Sequence, residues 1–172
     1  MQKEFDKYIR HIPDFPKQGI LFHDITTLLK NKTAFKKAID SLAKAVKGKK
    51  IDYILAVESR GFIFGSALAY KLGAGFIPVR KKGKLPAETI SATYQLEYGT
   101  DTLEMHKDAI KPNSKVLIVD DLLATGGTVS AVCQISNQVK GKIAGIIFLM
   151  ELCDLKGREK LKDYPVFSLI KY

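Results

Sequence analysis

The 172-residue sequence contains no apolar run that approaches the ~18 residues a membrane-spanning helix requires. Its charged start, MQKEFDKYIR, lacks the apolar stretch of a secretory signal. Together these absences predict a cytoplasmic chain with no membrane partner. Cysteine is nearly missing: Cys133 and Cys153 are the only two thiols, and they do not have the spacing of metal ligands. That excludes a disulfide scaffold, and because each lies in or beside an apolar segment, both are expected in the core. There is no GxxxxGK[ST] motif, no GxGxxG fingerprint, no internal repeat and no low-complexity segment. The length is too short for two substantial domains, so a single domain spanning residues 1–172 with one core is expected.

What the chain does have is basic charge. The net charge is +10, on a hydrophobic fraction of 46% and a charged fraction of 27% that are ordinary for a globular protein. Charge of this size suits either nucleic acid or a small substrate carrying several phosphates. The lysines are spread along the sequence, with local groups at 47–50 and 81–84 and no long basic tail. Most of them therefore read as solvated surface, and no nucleic-acid partner is expected.

Residues 1–32 read as a separate N-terminal hood: a short helix and then loops, broken by Pro13, Pro16 and Gly19. Phe35, Ala38, Ile39, Leu42 and Val46 follow helical spacing, with Thr33 available as N-cap. Apolar runs at 54–57, 76–79, 116–119, 143–150 and 166–169 lack polar alternation, as strands covered on both faces do. Helical patterns separate most of them. The order predicts an α/β fold, doubly wound, with a mostly parallel sheet of about five strands flanked by helices. Residues 80–107 break the alternation, first with a basic loop, RKKGKLP, and then with two β-like segments around Gly99 that suggest a mobile β-hairpin.

The stretch VLIVDDLLATGGT, Val116 to Thr128, concentrates the chemistry. A buried strand leads into Asp120 and Asp121, two neighbouring carboxylates that suit ribose hydroxyls or a hard cation. Ala124, Thr125, Gly126, Gly127 and Thr128 follow. The glycines allow an anion close to the backbone, the threonines add hydroxyl donors, and a helix N-terminus there favours negative charge. A sugar-phosphate is the implied ligand. At another strand end, Ser59, Arg60 and Gly61 offer a hydroxyl, a guanidinium and a second helix N-terminus to an anion.

The 116–128 stretch resembles the phosphoribosyl-pyrophosphate signature of the type I phosphoribosyltransferases. ESRGF at 58–62, RKKGKLP at 80–86 and LEYG at 96–99 narrow the resemblance to the adenine-using branch, across nearly the whole chain. It implies transfer of a phosphoribosyl group from phosphoribosyl pyrophosphate to adenine, giving AMP and pyrophosphate in purine salvage, by a homodimer. Asp120 and Asp121 would hold the ribose, and Ala124 to Thr128 its 5′-phosphate. Ser59, Arg60, Gly61, Arg80, Lys81 and Lys84 would meet pyrophosphate, and Mg²⁺ would arrive on that substrate rather than on protein ligands. Glu97 would be the catalytic acid/base, with Tyr98 beside it on the closing hairpin. Leu21, Phe22 and His23 would form the adenine site, with Phe22 stacking on the purine and the backbone at Leu21 and His23 reading its edge; His23 stands where family members often have arginine. A transferase for another nucleobase and a purine-sensing regulator on the same fold remain alternatives.

Overall fold

A computed structural model describes residues 2–95 and 99–172. The proposed catalytic Glu97 and its neighbour Tyr98 lie outside the described residues. The N-terminal hood contains α1 (Gln2–Asp6), β1 (Arg10–Ile12), β2 (Phe22–Asp24) and α2 (Thr26–Lys30). β1 and β2 pair antiparallel as a two-stranded sheet, so the hood is more regular than the loops its breakers suggested. It continues into α3 (Lys32–Lys44), β3 (Tyr53–Val57), α4 (Arg60–Leu72), β4 (Gly75–Lys81), β5 (Thr89–Gln95) and β6 (Thr100–His106). The chain closes with β7 (Lys115–Leu123), α5 (Gly127–Gln138), β8 (Lys142–Glu151), two 3-10 turns (Cys153–Leu155 and Gly157–Leu161) and β9 (Val166–Lys171). The cap of α3 is Asn31, whose side-chain oxygen accepts from the amides of Thr33 and Ala34, so Thr33 lies inside the helix and does not cap it.

Seven strands form the main sheet in the order β5-β6-β4-β3-β7-β8-β9. The five strands from β4 to β9 in that order are mutually parallel, as their apolar runs predicted. The other two come from the hairpin. Its base does not project from the sheet: β6 pairs antiparallel with Arg80 and Lys81 at the end of β4, and buried Ala92, Leu103 and Met105 anchor it.

Alternation along the central strands divides the expected single core into two layers. Ile54, Ala56, Leu117 and Val119 pack with residues of α3 and α4 on one face. Leu55, Val57, Val116 and Ile118 pack with Val129, Val132 and Ile135 of α5 on the other. Both layers stop at the carboxyl ends of the parallel strands, where the helix N-termini and crossover loops gather.

Candidate active site at the carboxyl edge of the sheet

β7 pairs with β3 only as far as Val119 but continues along β8 to Leu123. Asp120 and Asp121 therefore stand on a supported strand at the point where β3 gives way to α4. Both are buried. Burial, and then the charge of Asp121, pushes the Asp120 carboxyl well above the usual carboxylate range. Burial also raises Asp121, opposed first by the Arg60 guanidinium. The amide of Asp121 donates to Asp120 Oδ1 at 2.8 Å. Arg60 Nε lies 2.8 Å from Asp121 Oδ2, yet that oxygen makes no hydrogen bond of proper angle, so the contact is an ion pair with acceptor capacity left over.

Arg60 also faces the hood. Its guanidinium carbon lies 5.5 Å from the centroid of the Phe22 ring, within cation–π range. One side chain thus links the acidic pair to the proposed base platform. Gly61 makes this approach possible: a Cβ there would meet Asp120 Oδ1 at 2.9 Å and the Val119 carbonyl at 3.1 Å. Ser59, at the start of α4, is exposed and its side chain makes no capping bond. The Glu58–Ser59 peptide is cis.

The Ala124–Thr128 loop turns at Gly126, whose φ of +78° suits glycine and which caps α5. Leu122 to Gly126, with Thr128 and Val129, line a concavity of about 50 Å³. That is several times the ~10–15 Å³ needed for one water and too little for a nucleoside, the scale of a small oxyanion. Larger concavities lie elsewhere, including one of about 430 Å³ over α3 and α4, but none of the residues lining it belongs to the acidic pair or the loop. The end of β5 leans over the loop, because a Cβ on Gly127 would stand 3.3 Å from both the Gln95 carbonyl and the Tyr94 ring. The last described residues of β5, Tyr94 and Gln95, therefore lie directly beside the start of α5.

Three carboxylates organise the basic loop. Arg80 donates to both oxygens of Glu58, at 3.1 and 3.0 Å, and to the Lys84 carbonyl at 3.1 Å. Lys81 Nζ lies 3.2 Å from Asp101, while its amide donates to Glu58. The amide of Gly83 donates to buried Glu104 at 2.9 Å. Arg80 and Lys81 are thus held by protein anions, whereas Lys84 is exposed. Glu58, Asp101 and Glu104 are the partners of the basic loop that local sequence reasoning did not single out. Their partners lie about twenty residues away, where motif spacing carries no signal.

In the hood Phe22 meets Phe15 edge-on, at 5.1 Å between centroids, and Leu21 is exposed. His23 is buried and turns the opposite way, as strand alternation demands. Its Nδ1 lies 3.0 Å from His11 Nδ1 and its ring stacks on Tyr172 at 4.3 Å, so its side chain points away from Phe22. Cys133 is buried as expected, but Cys153 is exposed: it follows the end of β8 and sits on a 3-10 turn at the surface. Among the described residues no helix is long and apolar enough to cross a membrane.

A phosphoribosyl transferase domain model matches residues 25–172. The adenine phosphoribosyltransferase of Brachyspira hyodysenteriae is 61% identical over 98% of this chain and 99% of its own length. That of Halothermothrix orenii is 58% identical over the same shares. Among solved structures, the adenine phosphoribosyltransferase of Thermoanaerobacter pseudethanolicus superposes with a TM-score of 0.97 at 56% identity, covering 100% of both chains. The Saccharomyces cerevisiae enzyme, complexed with an imino-altritol bisphosphate and adenine, gives 0.92 at 46% identity over 98% of this chain and 97% of its own. With this fold, this acidic pair and loop, and relatives alike over their full lengths, the chain belongs to the phosphoribosyltransferase family, in its adenine phosphoribosyltransferase branch.

Proposed function

We propose that the chain joins adenine to the ribose of phosphoribosyl pyrophosphate, giving AMP and pyrophosphate. It is a pentosyltransferase of purine salvage. The observation that carries the reading is the line Phe22, Arg60, Asp121, Asp120 and Ala124–Thr128, which sets an aromatic platform, a carboxylate pair and an anion loop side by side at one sheet edge. The order along that edge matches the parts of a nucleotide: base at Phe22, ribose at the aspartates, 5′-phosphate at the α5 N-terminus. The adenine bound in the yeast relative's crystal supports the choice of base.

In the transfer, the bond from ribose C1′ to the pyrophosphate oxygen breaks and adenine N9 supplies the electron pair of the new bond. The leaving group gains negative charge as the sugar gains positive charge. The α4 N-terminus with Ser59 and exposed Lys84 faces the first, and Asp120 and Asp121 face the second. The raised proton affinity of the aspartates fits this role, since two buried carboxylates tolerate full ionisation best when a cation or ribose hydroxyls adjoin them. Arg80 and Lys81 reach pyrophosphate only by leaving or sharing Glu58 and Asp101. Glu97, two positions after Gln95 in the sequence, is the proposed proton carrier for the purine, and Tyr98 is proposed to take part in closure of the hairpin.

Mg²⁺ fits the pyrophosphate oxygens. It prefers oxygen ligands and is commonly held by substrate phosphates, and because Asp121 Oδ2 is buried against the Arg60 guanidinium, Mg²⁺ would be carried on the pyrophosphate rather than on that carboxylate. When bound with pyrophosphate it would offset the leaving group's charge. The working form is a cytoplasmic homodimer in this reading.

The test is a panel of nucleobases offered with phosphoribosyl pyrophosphate and Mg²⁺. Adenine should release pyrophosphate and form AMP. Turnover of hypoxanthine with none of adenine would overturn the base assignment.

A further inference from the structure

The 5′-phosphate loop does not rest on its own helix alone. Its outer side is backed by the turn Gly157–Leu161, and the two backbones touch. A Cβ on Gly126 would collide with the Gly157 carbonyl; a Cβ on Gly157 would collide with the Ala124 carbonyl and stand 2.8 Å from the Gly126 nitrogen. Two glycines facing each other across the gap let the second segment fix the path of the first.

The second segment is itself pinned. The Arg158 guanidinium forms a fork on Glu151, with Nε to Oε1 at 2.9 Å and Nη2 to Oε2. Its Nη1 donates to the Val166 carbonyl at 2.9 Å, and Nη2 reaches the Ser168 hydroxyl at 3.4 Å. Glu151 is the last residue of β8, and Val166 and Ser168 belong to β9, so Arg158 ties the turn to two strands of the main sheet. Leu161, fully buried in the α5 layer, secures the other end of the turn. The amide of Leu152 donates to the Leu123 carbonyl at 2.9 Å, fixing the strand ends from which both segments depart.

The geometry points to Gly157 and Arg158 as positioning residues for the 5′-phosphate. They touch no substrate, and they hold Ala124 to Gly126 in the curve that aims backbone N–H groups at an oxyanion. This role rests on the reading of Ala124–Thr128 as the phosphate loop. Positioning by such a brace acts on binding of the phosphorylated sugar and leaves free adenine unaffected. Arg158→Lys keeps the charge beside Glu151 but loses the fork and the reach to β9.

Three variants, Gly157→Ala, Arg158→Lys and Thr128→Ala, separate the possibilities. Calorimetric titration with ribose 5-phosphate, steady-state kinetics for both substrates and thermal melting should be measured on each. The expected result is a rise of about 10-fold or more in the ribose 5-phosphate dissociation constant for Gly157→Ala, a smaller rise for Arg158→Lys, and an adenine KM within about twofold of the parent for both. Thr128→Ala should weaken the sugar-phosphate in the same way. If Thr128→Ala does so while the brace variants merely melt earlier with unchanged ribose 5-phosphate affinity, Gly157 and Arg158 are structural only and the inference fails. If Thr128→Ala leaves that affinity intact, the phosphate-loop reading fails, and the inference with it. Should Gly157→Ala not fold, Arg158→Lys, which retains the ion pair, decides the matter alone.

Discussion

Asp120 is buried against Gly61 and beside a second carboxylate, and its hydrogen bond from the Asp121 amide does not outweigh those costs. Its proton affinity in the fold exceeds that in the unfolded chain, where the group titrates near ~3.9. As pH rises through the interval between the two, the native state keeps a proton that the unfolded chain has lost. Stability therefore falls over that interval, the reverse of an ion-paired aspartate. Asp120→Asn removes the buried charge while its amide oxygen can still accept from Asp121. At neutral pH the variant should melt higher, by about 2–4 °C for each kcal/mol of relief in a chain of this size. Its kcat/KM should drop on the order of 10²-fold, the usual cost of losing one electrostatic stabiliser. The difference in melting temperature should close on acidification, because a protonated Asp120 carboxyl and the variant's amide are then equally uncharged. A lower melting temperature for the variant at neutral pH would show that the charge is compensated in the fold.

Among the elements, the hood has its own titration. His23 on β2 faces His11 on β1, Asp6 at the end of α1, and Tyr172 beyond β9. Burial, and then the charge of His11, lowers the proton affinity of His23, while Asp6 partly opposes both. The unfolded hood thus takes up a proton near ~6.5 that the folded hood refuses. Stability of β1–β2 is full above that pH and is lost as pH falls through it towards the lowered native value. Since Phe22 shares β2 with His23, the adenine KM should rise as pH drops below about 6.5, together with a fall in the amide protection factors of β1 and β2. His23→Gln should flatten both profiles. If the protection factors of the hood amides, corrected for the pH dependence of intrinsic exchange, stay level from about one pH unit above that value to one below it, the histidine pair does not govern it.

This element also marks the limit of what the sequence discloses. The five parallel strands are legible because each is a contiguous run whose pattern its own burial imposes, and the candidate site at Asp120–Thr128 is proposed from such a run because it directly follows one of them. β1 and β2 are three-residue strands of mostly polar residues, fixed by pairing across the hood, and no periodicity announces them. Asn31 is hidden as a cap because α3 begins a turn before its first large apolar residue. The clamps Glu58–Arg80, Asp101–Lys81 and Glu151–Arg158 arise only when the sheet brings strand ends together.

At the scale of the whole molecule, β3, β7 and β8 feed alternate residues into both apolar layers. Neither layer can be lost without dissolving the strands that support the other, so residues 1–172 should unfold as one cooperative unit. The two thiols provide the probe. Cys133 lies within the α5 layer, where burial pushes its thiol up to about 12, so thiolate is scarce as well as shielded. Cys153 is exposed at the surface. With a colorimetric thiol reagent the native protein should therefore react at one site promptly and at the second only on unfolding. Across a denaturant series, brief labelling pulses should give a Cys133 midpoint that coincides with the loss of far-ultraviolet circular dichroism. Labelling of Cys133 at clearly lower denaturant would mean that the α5 face opens separately, and then the acidic pair on β7 and the loop at the α5 N-terminus would belong to units of different stability.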